Sequence, residues 1–206
     1  LHLLTLIAAD VRHWNMPPGF HVAVNFAAEH LSDERFLGDL QPFMAEVANR
    51  QCRVVVEVTE RTLMKNTPQA RLNLDTLRAQ GGRVAIDDFG TGYCSLSYLE
   101  TFPFDLLKVD RGFVMTIDPE RGEAIVLDAI ISLAHQLKAR VVAEGVDNPA
   151  QFDYLLTRNV SYMQGFTYAQ PMPSAALLAW FARFGQRPFA FGDEAKRESD
   201  GTVGQA

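Results

Sequence analysis

The sequence predicts an α/β protein built as a TIM-type (β/α)8 barrel. Three observations carry that prediction. Short β-branched runs alternate with longer segments of helical period, five or six times over. Each run is apolar along its body and turns polar near its C-terminal end. The chain has 206 residues, 48% of them hydrophobic, which is enough to bury one sizeable core but not to build two ordinary domains.

The opening LHLLTLIAADVRHW lacks a basic leader region and sets Leu3, Leu4, Ile7, Ala8, Val11 and Trp14 at helical spacing. It reads as a packed amphipathic helix and not as a signal peptide. A start on Leu1 reads as an excision from something longer. Strands are expected at 21–26 (HVAVNF), 53–60 (RVVVEVTE), 83–88 (RVAIDD), 104–110 (FDLLKVD), 140–146 (RVVAEGV) and 162–166 (YMQGF). Helices are expected at 33–48, 68–80, 122–138, 149–158 and 174–184. The clearest is 122–138, where Ile125, Ala129, Ile130, Leu133, Ala134 and Leu137 form an apolar stripe. Gly81-Gly82 closes the helix at 68–80, and Ser174, after Pro171 and Pro173, caps the last one. Residues 185–206 are polar and aperiodic, so the domain is expected over 1–184 with a polar tail behind it.

The polar residues decide between an open doubly wound sheet and a barrel. Side chains alternate along a strand with period two, so Ala23 shares a face with Asn25, Val55 with Glu57, Ala85 with Asp87, and Lys108 with Asp110. Glu60, Asp88, Glu144 and Gln164 also fall near strand ends. An open sheet gathers its chemistry at a switch point between a few strands. Six consecutive strands delivering polar groups to one end describe a barrel mouth.

Composition excludes several function classes. With 25 Asp+Glu against 19 Lys+Arg the net charge is −6, which argues against a basic face gripping a DNA or RNA polymer. A phosphate ligand remains compatible, because bound cations can invert the local sign. Cys52 and Cys94 lie 42 residues apart without CxxC spacing, which suits free thiols in a reducing compartment. The five histidines show neither HxH nor HExxH spacing, so a histidine-built metal site is not expected. No apolar run reaches the ~18 residues of a membrane span.

The expected mouth holds Glu57, Asp87, Asp88, Asp110 and Glu144, with Asn25, Lys108 and Gln164. Five converging carboxylates cannot all stay ionised without cations. Oxygen donors without His or Cys suit Mg2+ or Mn2+, and Asp87-Asp88 could serve two ions. Two ions ~3.5–4 Å apart would clamp the attacking water and the leaving oxygen of a phosphodiester displacement. Lys108 could hold that water or a phosphoryl oxygen. Each residue alone has an ordinary structural reading: a helix cap, a turn amide or a plain ion pair. Their coincidence at one end is what points to a site. Gly90 and Gly92 in DFGTGY make a mobile loop or a phosphate cradle, but no GK[ST] follows, so a P-loop is excluded. Cys94 reads as a spectator thiol.

IDDFGTGYCSLSYL (86–99), LKVDRGFV (107–114), VVAEGVDN (141–148), EVTE (57–60), the Asn of AVNF (23–26) and QGFTYAQPMP (164–173) resemble the EAL domain family. Those bacterial phosphodiesterases open cyclic di-GMP to linear pGpG. The likeness runs from about Leu1 to about Phe184, with six motifs in family order. It implies that Asn25, Glu57 and Asp87 bind one metal, with Asp87 bridging to a second that Asp88 helps hold. It also implies that Glu144 is a metal ligand or base, that Lys108 holds the catalytic water, and that Asp110 and Gln164 belong to the same pocket. Asp147 is expected at the substrate, and Glu60 as the anchor of the DDFGTG loop. The implied cofactors are two Mg2+ or Mn2+ ions. The implied partners are cyclic di-GMP, a second copy in a homodimer, and a fused sensory, GGDEF or membrane-anchored module, with the domain on the cytoplasmic side.

The chain departs from the family in three places. The strand carrying the EAL tripeptide, with a metal-binding glutamate and a phosphate-contacting arginine, would precede Leu1. Cys94 stands where serine is usual, and Asp147 where the family has glutamate. Two readings follow: a metal-dependent phosphodiesterase of which this is a trimmed piece with little activity of its own, or a non-catalytic module that binds the dinucleotide or a protein.

Overall fold

The computed structural model describes residues 2–65, 67–92, 96–117 and 123–184. The tail expected at 185–206 and Cys94 lie outside the described residues. The elements, in order, are α1 (His2–Val11), β1 (His21–Asn25), α2 (Ala28–Leu31), α3 (Phe36–Asn49), β2 (Arg53–Thr59), α4 (Glu60–Met64), α5 (Pro68–Ala79), β3 (Arg83–Phe89), α6 (Leu96–Thr101), β4 (Leu106–Val109), α7 (Arg111–Val114), α8 (Ile125–Gln136), β5 (Arg140–Glu144), α9 (Pro149–Thr157), β6 (Tyr162–Gln164) and α10 (Ser174–Phe184).

All six strands pair in parallel and in sequence order, β1 to β6. The sheet is strongly curled. Rings of His21 on β1 and Tyr162 on β6 lie 5.5 Å apart, centroid to centroid. Laid flat, the first and sixth strands would stand about 24 Å apart at the usual strand spacing. The result is a half-barrel of the TIM type.

Inward-facing side chains stack in three layers along the strands. The middle layer is the apolar plug of Val55, Ala85 and Leu106, with Val142 and Tyr162 packed on it. Two residues further along each strand stand Glu57, Asp87, Lys108, Glu144 and Gln164; two residues earlier stand Arg53, Arg83 and Arg140. The convex face carries Val54, Val56, Val58, Val84, Ile86, Leu107, Val109 and Val141 into the main core against the helices. Burying a side chain of this kind contributes about 1.5–3 kcal/mol.

The helices start and stop by local chemistry. Thr67 and Asn148 cap α5 and α9, accepting from the amides of Ala70 and Gln151, and a proline opens each helix. Helices α3, α5, α8 and α9 all end on a left-handed residue: Gln51, Gly81, Lys138 and Asn159. Each is followed by the same return bond, from Cys52 to Val47, Gly82 to Leu77, Ala139 to Ala134 and Val160 to Leu155. These are Schellman stops, and they turn the chain straight into the next strand.

Two expectations need correction. The apolar stripe of α8 runs through Leu127, Ile130, Ile131 and Ala134, while Ile125 is 79% exposed. On α1 it is Leu4 and Val11 that are buried, and Leu3 faces out. In both cases several apolar residues fit helical spacing, and the neighbouring elements select which face is covered.

Candidate active site

The centre of the C-terminal mouth is an ammonium among carboxylates. Lys108 Nζ lies 2.7 Å from Asp87 Oδ1, 2.8 Å from Glu144 Oε1 and 3.1 Å from Glu57 Oε1. Lys108 and Glu57 are buried. Burial disfavours the charge on Lys108, but its hydrogen bonds to the carboxylates of Asp87 and Glu144, with the charges of Glu57 and Glu144, outweigh it and push the pKa up. Burial pushes the Glu57 carboxyl up, opposed by Lys108 and reinforced by Asp87 and Glu144. Among the described residues, one cation faces these three carboxylates, which leaves the pocket short of positive charge.

Asp87 and Asp88 are adjacent, and a regular strand would send them to opposite faces. The backbone resolves this with a bulge. Ile86 pairs with Leu107 and Phe89 with Val109, so β3 holds one more residue than β4 over this stretch. Asp88 takes the left-handed conformation there, with φ 51°, and its amide donates to Asp87 Oδ1 at 3.1 Å. Aspartate tolerates that conformation better than most residues. Carboxylate oxygens of Asp87, Asp88 and Glu144 consequently come within 4.8 Å of one another. An oxygen-only cluster short of positive charge fits a hard divalent cation.

The other expected residues fall as follows. Asn25 ends β1 beside Glu57 on β2, and Gln164 ends β6 beside Glu144 on β5. Both are exposed at the mouth. Glu60 is buried at the start of α4 and accepts from the amides of Gly90 and Gly92 at 3.1 and 3.0 Å. The loop is therefore held through its backbone by a carboxylate from the neighbouring strand–helix junction. Asp110 caps α7, its Oδ1 accepting from the Gly112 amide at 2.8 Å. Asp147 pairs with Arg111 Nη2 at 3.0 Å. A cavity of about 440 Å³ runs down the concave face past Lys108 to His21. A second, of about 490 Å³, lies between Glu144, Gln164, Phe166 and Arg111.

Arg111, Phe113 and Gly165 were not candidates from the sequence. A Cβ on Gly165 would stand 2.1 Å from the Val146 carbonyl oxygen, so the QGF and AEGVD segments interlock. The sequence signal was weak: a single glycine inside each motif.

The chain is 38% identical over 184 residues to the probable cyclic di-GMP phosphodiesterase PdeN of Escherichia coli K12, covering 88% of this chain and 35% of that protein. It is 40% identical over 156 residues to the cyclic di-GMP phosphodiesterase NbdA of Pseudomonas aeruginosa, covering 76% and 20%. The chain thus spans about a third or less of the length of these relatives. Among solved structures, the EAL domain of Mycobacterium smegmatis DcpA superposes with a TM-score of 0.80 at 30% identity, over 91% of this chain and 84% of that one. The PaMucR phosphodiesterase, in complex with c-di-GMP, superposes with a TM-score of 0.69 at 32% identity, over 86% and 72%. The family model described as the EAL domain matches residues 1–171, and the chain belongs to that family.

Proposed function

We propose that this chain is the domain of a metal-dependent phosphodiesterase that hydrolyses cyclic di-GMP to linear pGpG. One observation carries the reading: the oxygen-only cluster of Asp87, Asp88 and Glu144, with Asp87 and Glu144 also paired to the Lys108 ammonium, at the C-terminal mouth of a parallel half-barrel. Asn25, Glu57, Asp87, Asp88 and Glu144 would hold two Mg2+ or Mn2+ ions. When bound, these supply Lewis acidity at the phosphoryl group and a water acidic enough to attack. The residues then divide the remaining work. Lys108 donates hydrogen bonds to the water or to a phosphoryl oxygen. Glu144 accepts the water's proton as the new P–O bond forms. The P–O bond to the ribose 3′ oxygen breaks, and that oxygen takes up a proton, leaving a 5′ phosphate on the linear product. Gln164 lines both cavities, Asp110 fixes the turn that follows Lys108, Asp147 faces the substrate side, and Glu60 holds the DDFGTG loop.

We read residues 1–184 as the domain. We read the domain as a homodimer, and the exposed apolar side chains of Met115, Ile125 and Val126 are candidates for its contact. The length of the relatives supports fusion to sensory or cyclase modules. Among the described residues, no helix is long and apolar enough to cross a membrane. We read the site as lying on the cytoplasmic side, where a nucleotide second messenger would be met.

The test is turnover of cyclic di-GMP by the full-length parent in Mn2+, with pGpG resolved from GMP by chromatography. Wild type is expected to release pGpG, and Asp87→Asn to abolish release. Undiminished turnover in the variant overturns the metal assignment. Tight binding of cyclic di-GMP without release of pGpG makes the domain a sensor instead.

A further inference from the structure

We propose that the four-residue helix α7 is a wedge that sets the separation of the two carboxylate-bearing loops, with Phe113 and Arg111 as its positioning residues. The inference rests on the metal-site reading above. Three facts build it. First, α7 is fixed at both ends: Asp110 caps it from within two residues of Lys108, and Val114 is fully buried in the core. Second, the Phe113 ring lies hard against Gly90, two residues after Asp88. A Cβ on Gly90 would stand 2.5 and 2.6 Å from Phe113 Cε2 and Cζ. Third, the stem of Arg111 lies against Gly145, the residue after Glu144. A Cβ there would meet Arg111 Cγ at 2.3 Å, and the guanidinium continues to Asp147 at 3.0 Å. Gly90 and Gly145 both have positive φ, at 95° and 69°, so each loop bends onto the wedge in a conformation that suits glycine.

Two side chains, two positions apart on one short turn, therefore support Asp87-Asp88 on one side and Glu144 on the other. A site of two ions ~3.5–4 Å apart tolerates little drift between its ligands. Errors near 1 Å can cost about 100-fold in rate. Without the wedge, DDFGTG would keep its strand root and the Glu60 anchor. The 144–147 loop would keep its strand root with the amide hydrogen bonds of Val146 to Gln164 and of Asp147 to Gln151. None of these bears on the spacing between the two loops. Arg111 also lines the cavity beside Glu144 and Gln164, so the test separates positioning from substrate contact.

The experiment compares wild type, Phe113→Ala, Phe113→Leu, Arg111→Ala and Arg111→Lys in the 206-residue chain and in the parent. Amide hydrogen exchange of residues 88–92 and 144–147 is measured without metal, and Mn2+ binding by titration calorimetry. Phe113→Ala is expected to speed exchange in 88–92 and Arg111→Ala in 144–147. Each should weaken Mn2+ binding by about 10- to 100-fold, with little change in the rest of the exchange map. Phe113→Leu and Arg111→Lys retain apolar volume against the glycines and should recover most of the loss. Unchanged exchange in both loops, or a rise in KM for Arg111→Ala with Mn2+ affinity intact, overturns the proposal. So does uniform acceleration across the chain in both the alanine and the conservative variants. Wild type that binds Mn2+ but releases no pGpG overturns the phosphodiesterase reading alone, since loop exchange reports on the wedge without metal or substrate.

Discussion

The two ends of this half-barrel carry opposite charge and treat it in opposite ways. At the N-terminal end, Asp105 gathers four donors: Arg78 through Nε and Nη2, Arg83 through Nη1, and the Val84 amide. Its own backbone extends the ladder, donating to Val84 and accepting from Arg140. Arg140 Nη1 in turn meets the Tyr162 hydroxyl at 2.7 Å. The carboxylate there has every lone pair used. At the C-terminal end, one ammonium serves three carboxylates, Asp88 adds a fourth acid, and β3 is bulged with a left-handed aspartate. One end is saturated and regular, and the other is under-compensated and irregular. Uncompensated charge in a buried pocket costs stability. A fold retains such a pocket where a ligand supplies the missing charge, which places the chemistry at the C-terminal end of the strands and the structural ion pairs at the other.

Removing the central cation should break this contrast most severely. Lys108→Met leaves Glu57, Asp87 and Glu144 facing one another, and breaking a buried pair of this kind costs about 3–5 kcal/mol. The carboxylates would escape by taking up protons, so the loss should grow as pH rises and shrink in acid. Turnover should fall by about 10²–10³ with the water or phosphoryl donor gone. Denaturant midpoints measured with and without Mn2+ check the reasoning: the ion should stabilise the variant more than wild type. Equal stabilisation would mean that Lys108 does not offset the same charge a metal would.

The same operation at the other end should separate stability from function. Asp105→Asn keeps the shape but weakens four bonds to a largely buried carboxylate, with an expected loss of about 2–3 kcal/mol. Turnover per folded molecule should stay at the wild-type value, since no metal-holding loop touches Asp105. A fall in kcat below the folding midpoint would show that the ends are coupled along the barrel.

How much of this was legible in the sequence depends on distance along the chain. Period-two alternation set Asn25, Glu57, Asp87 and Lys108 each on one face of its strand, because a strand's two faces are a local property, and Glu144 showed only as a polar strand end. Of the four Schellman stops only Gly81 announced itself. Gln51 and Lys138 take the left-handed region without being glycine, and at those positions the returning strand decides. The bulge was illegible: the sequence put both aspartates at the mouth without showing how two adjacent residues could share it, and the offset of β3 against β4 supplies the means. Arg111 and Phe113 were illegible for a related reason. Their partners, Gly145 and Gly90, lie 34 and 23 residues away, and the sequence shows a glycine without what presses on it.

The smallest effect tests whether the N-terminal end behaves as a basic, dry environment. Burial, followed by the charges of Arg53, Arg140 and Arg83, holds the His21 imidazole below its usual value of 6.5. The folded state thus binds this proton less readily than the unfolded chain. His21 contributes stability that is present above pH 6.5 and is lost as pH falls through its lowered value. His21→Phe keeps a ring against Tyr162 and removes the titration. The drop in Tm between pH 7.5 and pH 5.5 should therefore be smaller in the variant than in wild type. Lys108 keeps its charge across that window, so the difference between the two curves isolates His21. An identical drop in both would mean that water and counterions screen the arginines, and that the N-terminal layer is more open than its ring contact implies.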